Sequence, residues 1–331
     1  MKLVVQVPCF NEAGHLAEVL GSIPRLIAGV DQVLVVVVDD GSTDGTAEIA
    51  RQCGADAVVT HGGNRGLAAA FRTGLDWSLQ HGADLIVNTD GDNQYPQGKI
   101  PALIAPILAG VADVVVGDRQ AGQARHFPAS KRFLQRVGSA LVRLASGTSV
   151  ADAPSGFRAF SREAALQLNV ISNYSYTLET LIQAGALGLR VASVPIEARP
   201  TDRPSRLMRN IPDYLVHSGA TILRAYATYR PLAVFSAVGL LFILAGGAGI
   251  LRFLYYWVTD AGAGHIQSLV LSGAVFAAGF SVLLTGILAD LIASNRRLTE
   301  EVLVRLRRLE AHVTEVDAEV ATPTDGSDRA G

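Results

Sequence analysis

Two acidic runs carry the residues in this chain best suited to chemistry: Asp39 and Asp40 in Val36-Val-Val-Asp-Asp-Gly-Ser-Thr-Asp-Gly-Thr46, and Asp90 and Asp92 in Asn88-Thr-Asp-Gly-Asp-Asn-Gln94. Each run follows apolar β-formers, 33–38 in the first case and 85–87 in the second. An Asp-x-Asp just after a strand puts two carboxylates on one side of a turn. In an open α/β sheet the carboxyl ends of the strands are where ligands bind. Paired carboxylates there suit a hard divalent cation, Mg2+ or Mn2+, which in turn holds phosphate oxygens. One Asp-x-Asp alone reads as a solvated turn; the buried-looking strand before it, the second acidic strand end and the nearby Gln94 and Pro96 move the reading to a nucleotide-sugar site.

The elements that must position these residues alternate between strand-like and helix-like text, the pattern of a mostly parallel sheet with helices on both faces. Strands are expected at 3–7, 33–38, 57–60, 85–87, 114–116 and 191–196. Helices are expected at 12–27, 45–53, 66–79, 100–108, 131–145, 161–168 and 174–186. Trp77 reads as helix–sheet packing, and His61, His81, His126 and His217 as structural, since none has ligand spacing. Gly62-Gly63 is a turn signal.

Six motifs follow in order: Pro8-Cys-Phe-Asn-Glu12, Val38-Asp-Asp-Gly-Ser-Thr-Asp44, Asn64-Arg-Gly66, the Asp90–Gln94 run, Gly117-Asp-Arg119 and Asp152-Ala-Pro-Ser-Gly-Phe-Arg158. Together they resemble family 2 glycosyltransferases of the GT-A fold, in the dolichol-phosphate-mannose-synthase-like branch. The resemblance implies that Pro8, Phe10, Asn11, Glu12, Val38, Asp39 and Asp40 line the nucleotide. It implies that Asp90, Gly91, Asp92 and Gln94 hold the diphosphate, with Asp90, Asp92 and Gln94 on the metal. It places Arg119 and Lys131 at phosphate groups of donor or acceptor. Arg203-Pro-Ser-Arg206 falls where the family often has Gly-x-Ser-Lys, so Arg203, Ser205 and Arg206 are expected at the acceptor phosphate, the charge kept but the Gly and Lys replaced.

Residue chemistry points to a phosphate acceptor as well. A sugar hydroxyl needs a general base, whereas a phosphomonoester, with a second pKa near 6, is already largely a dianion at pH 7. It needs cations to position it, and Lys131, Arg132, Arg203 and Arg206 supply them. The 152–158 segment and Glu179 are candidates for orienting either sugar. A single in-line displacement inverts the anomeric centre.

Composition sets the rest. The chain has 331 residues and a formal net charge of −2, which implies no nucleic-acid partner. Two cysteines, Cys9 and Cys53, are too few for a disulfide framework and fit a reducing compartment. No signal peptide is read at the N-terminus, where the first apolar run meets Pro8. Mean hydropathy is nonetheless positive, because 232–251 and 269–289 carry no charged residue. Each is long enough to cross about 30 Å of hydrocarbon at about 1.5 Å per residue. The alternative is a pair of buried core helices. Arg224, Arg230, Arg296 and Arg297 flank the pair on one side while the intervening loop lacks Lys and Arg, which predicts both termini in the cytoplasm of a plasma-membrane protein.

The expected organisation is therefore a GT-A domain at 1–205, an interfacial helix at 206–230, spans at 231–256 and 267–293 around an outer loop at 257–266, a cytoplasmic helix at 294–320 and a disordered tail at 321–331. Val302, Leu306, Leu309, Val313 and Val316 keep a 4-3-4-3 spacing, compatible with self-association or with packing onto the parent domain. With the glycines at 246–249, this makes a homo-oligomer an option. The function that results is metal-dependent, inverting transfer of a hexose, from a GDP-mannose- or UDP-glucose-type donor, to polyprenyl phosphate at the cytoplasmic face. The alternatives are transfer to a non-lipid acceptor and a silent nucleotide-sugar-binding scaffold. A processive polysaccharide synthase would carry Gln-x-x-Arg-Trp, and neither Trp here follows an Arg.

Overall fold

The computed structural model describes residues 1–119, 143, 147–148, 150, 152–170, 176–199, 231–259 and 266–321, the last with backbone alone at 297 and 310–321. The helices expected at 131–145 and 206–230 lie outside these residues, as do Lys131, Arg132, Arg203, Ser205 and Arg206.

Strands β1 (Lys2–Cys9), β2 (Gln32–Asp39), β3 (Ala57–Thr60), β4 (Leu85–Asn88), β5 (Val114–Asp118), β6 (Arg158–Ser161) and β7 (Val191–Pro195) form one sheet in the order β3-β2-β1-β4-β6-β5-β7. All neighbours are parallel except at β6, which is antiparallel to both β4 and β5. Sequence reading missed β6, because the segment is short and opens on a fully buried Arg158.

Side chains alternate across each strand, so β1 and β2 feed two cores. Val5, Val7, Val35 and Val37 pack with Leu16 and Val19 of α1 (Ala13–Ser22) and Ile100 and Leu103 of α4 (Ile100–Leu108). Val4, Val36 and Ile86 pack with Phe71 and Leu75 of α3 (Leu67–Gln80) and Ala164 of α5 (Arg162–Gln167). Burying one such side chain contributes about 1.5–3 kcal/mol. The remaining helices of this layer are α2 (Thr46–Gln52) and α6 (Tyr176–Ala186). The first helix is shorter than the expected 12–27: Pro24 pushes Ile23 into extended backbone, φ −70° and ψ 120°, and the helix stops at Ser22.

Contacts divide the chain into two units, Met1–Ile222 with Glu301–Gly331, and Leu223–Glu300. The second unit contains α7 (Pro231–Thr259) and the start of α8 (Ile266–Ala321), which runs unbroken through the segments expected as a second span and a separate cytoplasmic helix. The two helices meet along glycines: a Cβ on Gly246 would lie 2.6 Å from the Phe276 nitrogen, and one on Gly286 2.6 Å from Phe235 Cβ. Leu240, Leu241, Leu244, Leu284 and Leu288 point outward. Only 11% of each apolar window is buried in the protein, so these are not core helices of a soluble domain but helices long and apolar enough to cross a bilayer.

Within the first unit, the distal part of α8 lies on the α/β layer. Arg307 donates to the Leu168 carbonyl at 3.1 Å and pairs with Asp76 at 3.2 Å, while Arg308 pairs with Glu163.

Candidate active site

Because β2, β1, β4 and β5 run the same way, their carboxyl ends bring Asp39–Asp40, Pro8–Glu12, Asp90–Gln94 and Asp118–Arg119 to one edge of the sheet. The antiparallel β6 begins at that edge, so the 152–158 segment joins them.

The loops after β1 and β2 are laced together. The Asn11 amide donates to Ser42 Oγ at 2.9 Å, and Asn11 Oδ1 accepts from the Thr43 amide at 2.9 Å. The Glu12 amide donates to Thr46 Oγ1 at 2.9 Å, and the Ala13 amide to Asp44 Oδ2 at 3.1 Å. The polar residues after the first acidic pair thus build the loop. Asp39 Oδ1 accepts from the Ser42 amide at 3.1 Å. Asp40, expected at the nucleotide, is buried and organises the neighbouring loop: it meets His61 Nδ1 at 2.6 Å and accepts the Arg65 and Gly66 amides at 2.9 and 2.8 Å. The other His61 nitrogen meets Thr73 Oγ1 at 2.9 Å, the structural role expected for this histidine. Pro8 and Val38 are buried strand residues, and Phe10 and Asn11 are half-buried at the edge.

The Asp-x-Asp turn sits beside them. Gly91 has no room for a side chain, since a Cβ would lie 2.6 Å from Cys9 Sγ. Asp92 Oδ1 accepts from the Gln94 amide at 3.1 Å, fixing the turn, and Asn93 takes the left-handed region at φ 58°. Asp90 keeps some exposure, but its Oδ1 is sealed from solvent and has no hydrogen-bond partner. Burial, then the charge of Asp92, pushes the Asp90 carboxyl up to about 7 against the opposing pull of Arg119. Leaving a buried carboxylate unpaired is costly, and a cation removes that cost. Two carboxylates and the Gln94 amide oxygen fit a hard divalent ion whose other positions are filled by phosphate and water. Among the described residues no group of three or more His, Cys, Asp or Glu forms a metal cage. The Cys9 thiol, raised well above its ordinary value by burial and then by Glu12, stays protonated.

Behind Asp90 lies the Gly156 peptide, held from both sides. Its N–H donates to Tyr95 Oη at 2.9 Å, and its carbonyl accepts from Asn88 Nδ2 at 2.8 Å and Tyr176 Oη at 3.2 Å. A Cβ on Gly156 would lie 2.9 Å from both Asp90 oxygens. Arg158, fully buried, donates to the carbonyls of Ala153, Ser155 and Thr177 and to Thr180 Oγ1 at 2.6–2.8 Å, so it ties the loop to α6 and does not face a ligand. Glu179 lies buried on α6, accepting from Gln183 at 3.3 Å. Arg119, expected at a phosphate, forks onto Asp152 at 2.7 and 2.9 Å and reaches Gln94 only at 3.5 Å. Tyr95, Tyr176 and Arg199 are missed by sequence reading. Arg199 binds the Gln94 carbonyl through its amide at 2.9 Å and Asn93 Oδ1 through its side chain at 2.8 Å. Its proximity to the turn has no signal in a linear text.

A mostly parallel sheet with an Asp-x-Asp turn at its carboxyl edge defines a glycosyltransferase of the GT-A fold. Residues 4–168 match the family described as Glycosyl transferase family 2. Glycosyltransferase AglJ of Haloferax volcanii is 31% identical over 92% of this chain and 97% of its own length. Undecaprenyl-phosphate mannosyltransferase of Micrococcus luteus is 30% identical over 59% of this chain and 83% of its own. Glucosyl-3-phosphoglycerate synthase of Mycobacterium tuberculosis, solved with Mg2+ and uridine diphosphate, superposes with a TM-score of 0.51 at 25% identity, covering 69% of this chain and 79% of that one. The chain belongs to glycosyltransferase family 2 and is a glycosyltransferase.

Proposed function

We propose that this protein transfers a hexosyl group from a nucleoside-diphosphate sugar of the GDP-mannose or UDP-glucose type to polyprenyl phosphate, with inversion, at the cytoplasmic face of the plasma membrane. The observation that carries the proposal is the sealed, unpartnered Asp90 oxygen beside Asp92 at the carboxyl edge of the sheet. The apolar hairpin and the likeness to an undecaprenyl-phosphate mannosyltransferase support a lipid acceptor.

In this reading Asp90, Asp92 and Gln94 hold Mg2+ or Mn2+, which when bound neutralises charge developing on the departing diphosphate. Gly156 leaves the Asp90 oxygens, which lie against it, the space that a side chain would take. Pro8, Phe10, Asn11, Glu12, Val38 and Asp39 line the nucleotide, while Asp40 shapes the 61–66 loop beside it. Arg119, charge-paired with Asp152, positions Gln94. Lys131, Arg132, Arg203, Ser205 and Arg206 are assigned to the acceptor phosphate, whose dianion attacks the anomeric carbon without a general base.

The test is transfer by purified protein in detergent with undecaprenyl phosphate, Mg2+ or Mn2+ and a panel of radiolabelled GDP- and UDP-sugars. Metal-dependent label in the organic phase from one donor is the expected result. No lipid label from any donor, with nucleotide binding retained, would sink the lipid-acceptor reading.

A further inference from the structure

Val302, Leu306 and Leu309 on α8 are 56%, 51% and 62% exposed, although each is apolar and lies beyond the hydrophobic hairpin. In heptad terms Val302 and Leu309 take d and Leu306 takes a, and the sequence continues with Val313 at a and Val316 at d. Arg307 and Arg308, at b and c, are the residues that bind the α/β layer, through Asp76, Glu163 and the Leu168 carbonyl. Packing onto the parent domain therefore uses one face of the helix and leaves the apolar ridge on another.

The flanking charges identify what covers the ridge. In a parallel pair of helices, g of one faces e of the next heptad on the other. Arg305 at g would then meet Glu310 of the second copy, and His312 at g would meet Asp317 at e. An antiparallel pair would instead set e against e, bringing acidic Glu310 and Asp317 together. Among the described residues Arg305 pairs with Glu301 of its own helix at 2.6 Å, with both side chains well exposed, so little is lost on exchange. Copies inserted the same way in one bilayer present these helices in parallel, a condition that rests on the membrane orientation proposed above. We infer that the Val302–Leu306–Leu309 ridge is the seam of a parallel homodimer, closed on each side by Arg305 and Glu310.

The test uses the full chain in nanodiscs and in dilute proteoliposomes, in a Cys53→Ser background that leaves only the buried Cys9 thiol. Under mild oxidant, Leu309→Cys should give a disulfide-linked dimer at least about tenfold more efficiently than Val304→Cys, which sits at f on the domain side. Arg305→Glu should weaken association about tenfold, and adding Glu310→Arg should restore it. Equal cross-linking at 304 and 309, or a dimer mass without cross-linking at 309, would overturn the seam. So would a Leu309→Cys thiol shielded from maleimide yet never cross-linked, which would point to lipid over the ridge. An Arg305→Glu defect not rescued by Glu310→Arg would overturn the parallel register. Transfer activity measured on the same samples separates loss of the dimer from failure of the enzyme assignment.

Discussion

The Asp90 carboxyl is set against the stability of the chain that carries it. Its folded-state pKa of about 7 lies above its ordinary 3.8, so the folded chain holds the extra proton across that interval. Stability is therefore greatest below it and falls as pH rises through the window. Asp90→Asn should abolish transfer and at the same time raise the melting temperature of metal-free protein at pH 8, read by scanning fluorimetry. A lower melting temperature would contradict the account of Asp90 as an uncompensated charge. The same proton competes with the metal. Mn2+ affinity should weaken as pH falls below about 7, approaching tenfold per unit in the limit of one displaced proton. Calorimetry in buffers of different ionisation enthalpy should show proton release at pH 6 and little at pH 8. That Asp90 and Asp92 follow the carboxyl end of a buried strand was legible from the apolar run before them. That Asp90 is bare on one oxygen and Asp40 fully engaged was not, since hydrogen bonds from residues 61–66 depend on the fold.

At the scale of elements, the loop leading into β6 is the least readable and the most consequential. Parallel strands announce themselves as apolar runs, and six of the seven were visible for that reason. The seventh begins with a buried guanidinium whose acceptors come from a loop and a helix about twenty residues away. Arg158→Leu would remove the donor to the carbonyls of Ala153, Ser155 and Thr177 and to Thr180 Oγ1; at about 0.5–1.5 kcal/mol net per hydrogen bond, a loss of about 2 kcal/mol or more is expected. Urea unfolding should show a lower midpoint at unchanged slope. Gly156→Ala makes a different prediction. Its methyl would press on both Asp90 oxygens and on Tyr176 Oη, so kcat should fall at least about tenfold while the far-UV spectrum and nucleotide binding in the absence of metal remain.

Taken whole, the molecule joins a polar, laced site to an apolar hairpin with a glycine seam. Gly246→Val would drive a side chain into the Phe276 backbone; the variant should melt lower in detergent and, if the hairpin opens, migrate differently on semi-native gels, whereas Leu244→Val, on the outward face, should be neutral. The hairpin was legible from charge-free length alone. The division of labour along α8 was not, because a heptad pattern is the same text whether its partner is the parent domain or a second copy.

The direction of β6 carries one more consequence. Since β5 ends and β6 begins at the same edge of the sheet, the chain departs at Arg119 and returns at Asp152, and the ion pair between those two residues fastens departure to return. Just before that return the buried Val150 packs with Val116 of β5, so the returning chain is fastened by the core as well as by charge.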